Sequence, residues 1–247
     1  MHEGTFASMC RHSQAAYADR IRHREALYYI RALSPRLEFA VVVVGAFGLF
    51  IAGSILAVLS ANWPARISDA HLQSLIVYEL VVAVLLLAFL RVRQWTLQSF
   101  GISPSLRETL LGGGLAIAAY LAYVFVFAIS AGLSPYVAEV AAKQTLVASH
   151  LSFSLVVAVS VINPAFEELF VSGYVISALK ERRSSWTAIN VSIAIRLSYH
   201  LYQGPVGVIS IIPIGFIFAC WYARSGRLWP LIVAHAVFDL VGLLASG

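Results

Sequence analysis

Glu167 and Glu168 stand side by side in a run that otherwise reads as lipid-buried. His200 and His235 lie in the hydrophobic segments that follow, and Asp239 comes one helical turn after His235. A charge at the bilayer centre costs at least about 2.5–3.5 kcal/mol on insertion scales, so adjacent carboxylates at that depth mark a working site rather than packing. The chemistry such a set permits is water-mediated hydrolysis. A carboxylate in an apolar site serves as general base near neutral pH. Imidazole orients the water or donates to a developing oxyanion, and Asp239 can fix the orientation or tautomer of His235. A second chemistry stays open, because His200, His235 and Glu167 are also enough ligands for a catalytic zinc with an open fourth position. The chain lacks His-Glu-x-x-His, so no local motif supports the metal. It lacks Gly-x-Ser-x-Gly as well, so a serine nucleophile has no support.

Helix geometry divides the work. Neighbours on a helix point about 100° apart, so Glu167 and Glu168 face different partners. Glu167 shares a face with Val171 and Tyr174, and Glu168 with Ser172. Arg196 and His200 are four residues apart on one face, as are His235 and Asp239. Arg196 therefore offers a cation to the carboxylates. One of the two glutamates could pair with it, leaving the other to work as the base. Glu79, in an earlier apolar run, reads as a structural polar residue.

The elements that must position these groups are membrane helices. The chain has 247 residues, of which 60% are hydrophobic and 12% charged. A soluble domain is typically about 45–50% apolar and about 25% charged, so the composition is that of a polytopic membrane protein, all-α. A span needs about 20 apolar residues. Runs that qualify, or nearly do, fall at 39–60, 72–90, 110–132, 148–179, 186–201, 206–223 and 229–245. The fourth is too long for one simple helix and contains Asn163-Pro164. Proline removes an amide donor, and Asn163 could cap a fresh helix with Pro164 in its first turn. The expectation is a helix bundle of seven to eight transmembrane helices with a break near Pro164. Gly112-Gly113-Gly114 is followed by no lysine and sits at a span start, which suits close helix packing rather than phosphate binding. Residues 94–108, with Trp95, Leu97, Phe100 and Ile102, suggest a short interfacial helix.

Charge sets the orientation. Counting crossings from a cytoplasmic N-terminus puts fourteen of the seventeen Lys and Arg inside, Arg66 and Lys143 outside, and Arg196 within the membrane. Cytoplasmic loops carry such an excess. The division is a basic cytoplasmic N-terminal arm at 1–37 and a membrane domain at 38–247, in a plasma-membrane protein with seven net crossings and an outside C-terminus. The arm suits a helix on an anionic membrane surface or a disordered tail equally well. His2, His12 and His23 within it match no metal spacing. The net charge of +5 does not indicate nucleic acid, since the basic residues sit between apolar runs and form no stripe with interleaved aromatics. Cys10 and Cys220 lie in a polar arm and an apolar run, so no disulfide framework is expected.

Three motifs together resemble those of the CPBP group of intramembrane proteases, related to the type II CAAX prenyl endopeptidases. The first runs Glu167-Glu168-Leu169-Phe170-Val171-Ser172-Gly173-Tyr174, the second Arg196-Leu197-Ser198-Tyr199-His200, and the third His235-Ala236-Val237-Phe238-Asp239. The resemblance covers about 150–245 in the family's order and spacing. It implies an endopeptidase of membrane-associated or lipidated substrates, in which Glu167 activates water and His200, His235 and Asp239 position it and stabilise the oxyanion. Glu168 and Arg196 would then support the site. Two positions depart from the pattern: Ser172 stands where the family has arginine, and Arg196 where the second motif has phenylalanine. Other readings stay open. Intramembrane Glu, His and Arg also mark proton-coupled transporters, although no inverted repeat is evident. A catalytically inactive relative acting as scaffold or bacteriocin-immunity protein is the third.

Overall fold

The computed structural model describes residues 28–60, 66–143, 147–148 and 151–246, nearly all of them helical. In chain order the helices are α1 (Pro35–Leu59), α2 (Asp69–Val92), α3 (Leu106–Leu133), α4 (Pro135–Lys143) and α5 (Phe153–Glu167). A π-helical stretch, Glu168–Tyr174, then leads into α6 (Val175–Lys180), α7 (Ser185–His200), α8 (Gly204–Ser225) and α9 (Trp229–Ser246). Most of the proposed N-terminal arm, with His2, His12, His23 and Cys10, lies outside the described residues. So does Trp63.

Serine hydroxyls start four of these helices. Ser34, Ser68, Ser105 and Ser184 each accept from the amide three residues on, at the heads of α1, α2, α3 and α7. Each bond satisfies one of the amides that a helix start leaves free. The interfacial segment before α3 is a short 3₁₀ turn, Leu97–Phe100, closed by Gly101 at φ 67°. A side chain at Gly101 would collide with the Gly226 carbonyl, and the Gly101 carbonyl accepts from the Leu228 amide. This turn is thus stitched to the α8–α9 connection.

Among the described residues, five segments are long and apolar enough to cross a membrane: Pro35–Leu59, Asp69–Val92, Leu106–Leu133, Phe153–Lys180 and Val206–Ser225. Trp229–Ala245 is apolar but shorter. α7 has 16 residues, about 24 Å at 1.5 Å per residue. By length and composition alone, the described helices therefore yield fewer crossings than the seven to eight expected. The protein is a multi-pass, all-helical membrane protein.

Contacts define the two ends of the bundle. Arg93 pairs with Glu38, Arg227 with Glu108, and the Lys180 ammonium donates to the Ala223 carbonyl. The starts of α1, α3 and α9 and the ends of α2, α6 and α8 thus share the basic end. At the other end, the Ser152 amide donates to Asp69 at 2.9 Å, joining the starts of α5 and α2. A two-residue parallel pairing of Arg66–Ile67 with Val147–Ala148 precedes these starts. α3 and α9 approach closely at Gly112, where an added Cβ would lie 2.6 Å from Val233 Cβ. Gly113 and Gly114 face open space, so only one glycine of the triplet serves packing.

The expected break near Pro164 is not there. α5 runs through Pro164, and the irregularity begins four residues later at Glu168. Nor does Asn163 cap a helix: it sits mid-helix and spends its amide on two carboxylates, Glu79 and Glu167. The physical reason is that proline costs a single amide donor, and the tightly packed bundle carries the helix across that gap. The distortion is instead taken up by π-type turns, in which the Val175 amide donates to the Phe170 carbonyl five residues back. Such turns advance the face by extra residues. Tyr174 consequently leaves the Glu167 face and reaches Glu38 at the basic end.

Candidate active site

Seven residues, Glu168 to Tyr174, form the π-helical stretch, and every one of them is buried. Glu167 closes α5 immediately before it, so the two acidic residues straddle the change of helix type. π-bulges are rare and recur at functional sites. Here the stretch is braced from α7, whose Ser192 hydroxyl donates to the Val171 carbonyl at 2.7 Å.

Glu168 is fully buried and saturated with partners. Its Oε1 accepts from the Arg196 guanidinium at 2.7 Å and lies 2.8 Å from His235 Nδ1. Its Oε2 accepts from the Ser172 hydroxyl at 2.6 Å. Arg196 is 3% exposed, and its guanidinium lies over the Phe218 ring at 5.9 Å. Gly215 leaves room for it, since a Cβ there would come within 3.2 Å of the Arg196 side chain. The buried charge is therefore paired and hydrogen-bonded, the condition under which burial is tolerated. Three helical elements, the π stretch, α7 and α9, converge on this one carboxylate.

Glu167 has different neighbours. Its Oε2 accepts from the Tyr199 hydroxyl at 2.6 Å, and its Oε1 from the Asn163 amide at 3.3 Å. Arg196 approaches it to 3.6 Å, and His200 Nε2 lies 4.0 Å away. Both separations exceed a hydrogen bond. His200 Nδ1 is buried without a hydrogen-bond partner among the described residues. On the other side, His235 Nε2 faces Asp239 at 3.5 Å. The site thus gathers Glu167, Glu168, Arg196, His200, His235 and Asp239 in one cluster, with Asp239 at its edge and its side chain 25% exposed.

The residues do not fit a zinc site in this arrangement. Among the described residues no group of three His, Cys, Asp or Glu side chains is arranged to hold a metal ion. One nitrogen of His235 is engaged by Glu168 and the other faces Asp239.

Sequence reasoning overlooked two residues that touch Glu167. Tyr199 stood within the second motif without a role of its own; its ring stacks on Phe47 with centroids 4.9 Å apart. Its backbone carbonyl also accepts from Ser54 on α1. Nothing in its spacing signalled that the hydroxyl would reach the carboxylate. Asn163 did carry a signal, since it precedes Glu167 by four residues and so shares its face. The adjoining proline drew that residue into a capping role instead.

Residues 149–241 match the family model described as type II CAAX prenyl endopeptidase Rce1-like. No curated protein and no solved structure matches the chain. The matched segment contains every one of the six clustered side chains and leaves out α1 to α4. Over residues 149–241, then, this membrane protein is similar to the Rce1-like type II CAAX prenyl endopeptidases, a protease family.

Proposed function

We propose that the protein is an intramembrane endopeptidase in which Glu167 activates water against a peptide bond of a membrane-associated or lipidated substrate. The observation that carries this reading is the space between Glu167 Oε2 and His200 Nε2. At 4.0 Å it is too long for a direct hydrogen bond and suits a water held between the two. Glu167 takes the water proton as the oxygen attacks the carbonyl carbon. An imidazole N–H of His200 stabilises the resulting oxyanion, while His235, held between Glu168 and Asp239, keeps the surrounding groups in place. When the carbon–nitrogen bond breaks, the proton on Glu167 passes to the leaving amine, restoring the carboxylate. Glu168 and Arg196 support the site: their ion pair fixes the π stretch and α7 relative to one another, and Arg196 keeps a cation near Glu167 as charge shifts.

A C-terminal prenylated cysteine motif is the substrate class that the family description suggests. We assign the membrane domain to 38–247 with the protease core at about 150–245, and the N-terminus to the cytoplasmic side of the plasma membrane with seven crossings. The clustering of Arg93, Lys180 and Arg227 at one end of the bundle supports that orientation. Reporter fusions after residues 103, 143, 183 and 247 are expected to read inside, outside, inside and outside, and an inside signal at 143 refutes it. The activity is tested with purified protein in lipid vesicles and an internally quenched farnesylated peptide ending in the Cys-aliphatic-aliphatic-X pattern, beside its unprenylated twin. Cleavage that disappears in Glu167→Gln supports the reading. Equal cleavage by a well-folded Glu167→Gln protein overturns it.

A further inference from the structure

Glu79 on α2 is fully buried and lies outside the segment that matches the protease family. Glu38, Glu108 and Glu168 are buried too, but each has an arginine beside it. Glu79 has no cation within ion-pair distance among the described residues. Its single hydrogen bond comes from the Asn163 amide, at 2.6 Å, and its second oxygen has no partner there. Through Oε1, Glu79 serves Asn163 as a hydrogen-bond acceptor rather than a cation as a counter-charge. The acceptor has a specific consequence. Asn163 donates from the same nitrogen to Glu79 Oε1 and to Glu167 Oε1. An asparagine amide can turn over and exchange its oxygen for its nitrogen at nearly the same shape. Turned over, it would present a carbonyl oxygen to Glu167, repelling the carboxylate instead of holding it. The donating orientation serves Glu79 Oε1 and Glu167 Oε1 at once, and the turned-over one would set the amide oxygen against Glu167.

We propose that Glu79 is a positioning residue for the reaction: it locks the Asn163 amide in the orientation that donates to Glu167, and so aims the base from outside the family core. This rests on Glu167 being the base. Glu167 then sits between two donors that both need placing, the Tyr199 hydroxyl and the Asn163 amide. α2 contributes to the site through one hydrogen bond relayed by α5.

The test compares Glu79→Leu, which cannot accept, with Glu79→Gln, whose side-chain carbonyl can, using the farnesylated quenched peptide in vesicles. Glu79→Leu is expected to lower kcat about tenfold, less than the about 10²–10⁴-fold of losing a general base outright, with KM within twofold. Glu79→Gln is expected to keep kcat within about threefold, since it restores the acceptor. In an Asn163→Ala background, Glu79→Leu is expected to cause no further loss, because residues acting through one contact are not additive. Wild-type kcat in folded Glu79→Leu, equal losses in Leu and Gln, or additive losses with Asn163→Ala would each overturn the proposal. Infrared spectroscopy supplies a readout independent of turnover. Glu79→Leu should remove one carboxyl band and shift a second, the second being the band lost in Glu167→Gln. Loss of one band with no second shift also refutes the lock. Retained activity in Glu167→Gln would instead remove the base assignment itself, so the two failures are distinguishable.

Discussion

Two buried acidic clusters in this molecule each set glutamate against arginine and tyrosine and are left in different states. At the basic end, Glu38 accepts from Trp95 Nε1 at 2.9 Å, from the Tyr174 hydroxyl at 3.1 Å and from Arg93 Nε at 2.5 Å. Arg93 Nη1 donates to the Ile30 and Arg31 carbonyls. Both oxygens of the carboxylate are taken, and the cluster is a clamp joining α1, the end of α2 and the π stretch. In the middle of the bundle, Glu168 is saturated in the same way, but Glu167 beside it is not. Arg196 and His200 stand 3.6 and 4.0 Å from it, and a nitrogen of His200 has no partner among the described residues. A closed cluster has nothing left to offer a substrate. An open one, held against a closed one, has both the spare capacity and the rigidity that catalysis needs. What separates the two regions is which donors are already spent.

The sharpest way to break this comparison is to remove the open group. Glu167→Gln keeps the shape and the hydrogen-bonding reach but cannot take a proton. Turnover of the farnesylated peptide is expected to fall by about 100-fold or more, the scale of general-base loss, while the thermal unfolding temperature in detergent stays near that of the parent. A large drop in unfolding temperature would mean that Glu167 is part of a clamp after all.

Arg196→Ala should damage both properties, because it strips the cation from the closed half of the site. Glu168 would be left buried with His235 and Ser172 alone, and losing one partner of a buried pair costs about 3–5 kcal/mol. Adding Glu168→Gln should recover part of that stability by removing the stranded charge, without restoring turnover. Unfolding measurements on the two single variants and the double variant check this. Strict additivity would contradict the pairing.

The clamp makes the reverse prediction. Arg93→Ala leaves Glu38 with the Trp95 and Tyr174 donors, and the pair lies near the end of the bundle with side chains 11% and 9% exposed. A loss of about 1.5–3 kcal/mol is expected from the charge-assisted bond to Glu38, with a further contribution from the bonds to the Ile30 and Arg31 carbonyls, and turnover per folded molecule within about twofold. An Arg93→Ala protein that is stable but inactive would join the two regions into one functional unit.

Part of this arrangement was legible in the sequence, and the reason lies in the solvent. Lipid penalises charge so heavily that Glu167, Glu168 and Arg196 stand out against an apolar background, as do the histidines. The i, i+4 spacing tied His235 to Asp239 and Glu168 to Ser172. The helical period failed where the helix itself changed type: no residue in Glu168–Tyr174 announces a π turn, so Tyr174 appeared on the wrong face. Pro164 misled for the opposite reason, since a strong local signal was overridden by packing around it. Glu79 looked like a structural residue because its link to the site runs through Asn163, and a contact between distant segments leaves no spacing to read.

The smallest effect concerns Ser172, which stands four residues after Glu168 inside the π stretch and is itself fully buried. Its hydroxyl is the donor to Glu168 Oε2. Ser172→Ala deletes that donor without adding volume, so the backbone has no reason to move. Leaving a buried acceptor unpaired costs about 1–3 kcal/mol. The lower part of that range is expected here, because Arg196 and His235 still hold the other oxygen. If Glu168 belongs to the closed half of the site, the loss should appear as a modest drop in unfolding temperature. Turnover should change by less than about fivefold, since a bond of about 1 kcal/mol is worth little more than that even when fully expressed in the barrier. A variant of parental stability whose turnover has collapsed would place Glu168 and its serine among the reacting groups. The division between a saturated and an open carboxylate would then have to be redrawn.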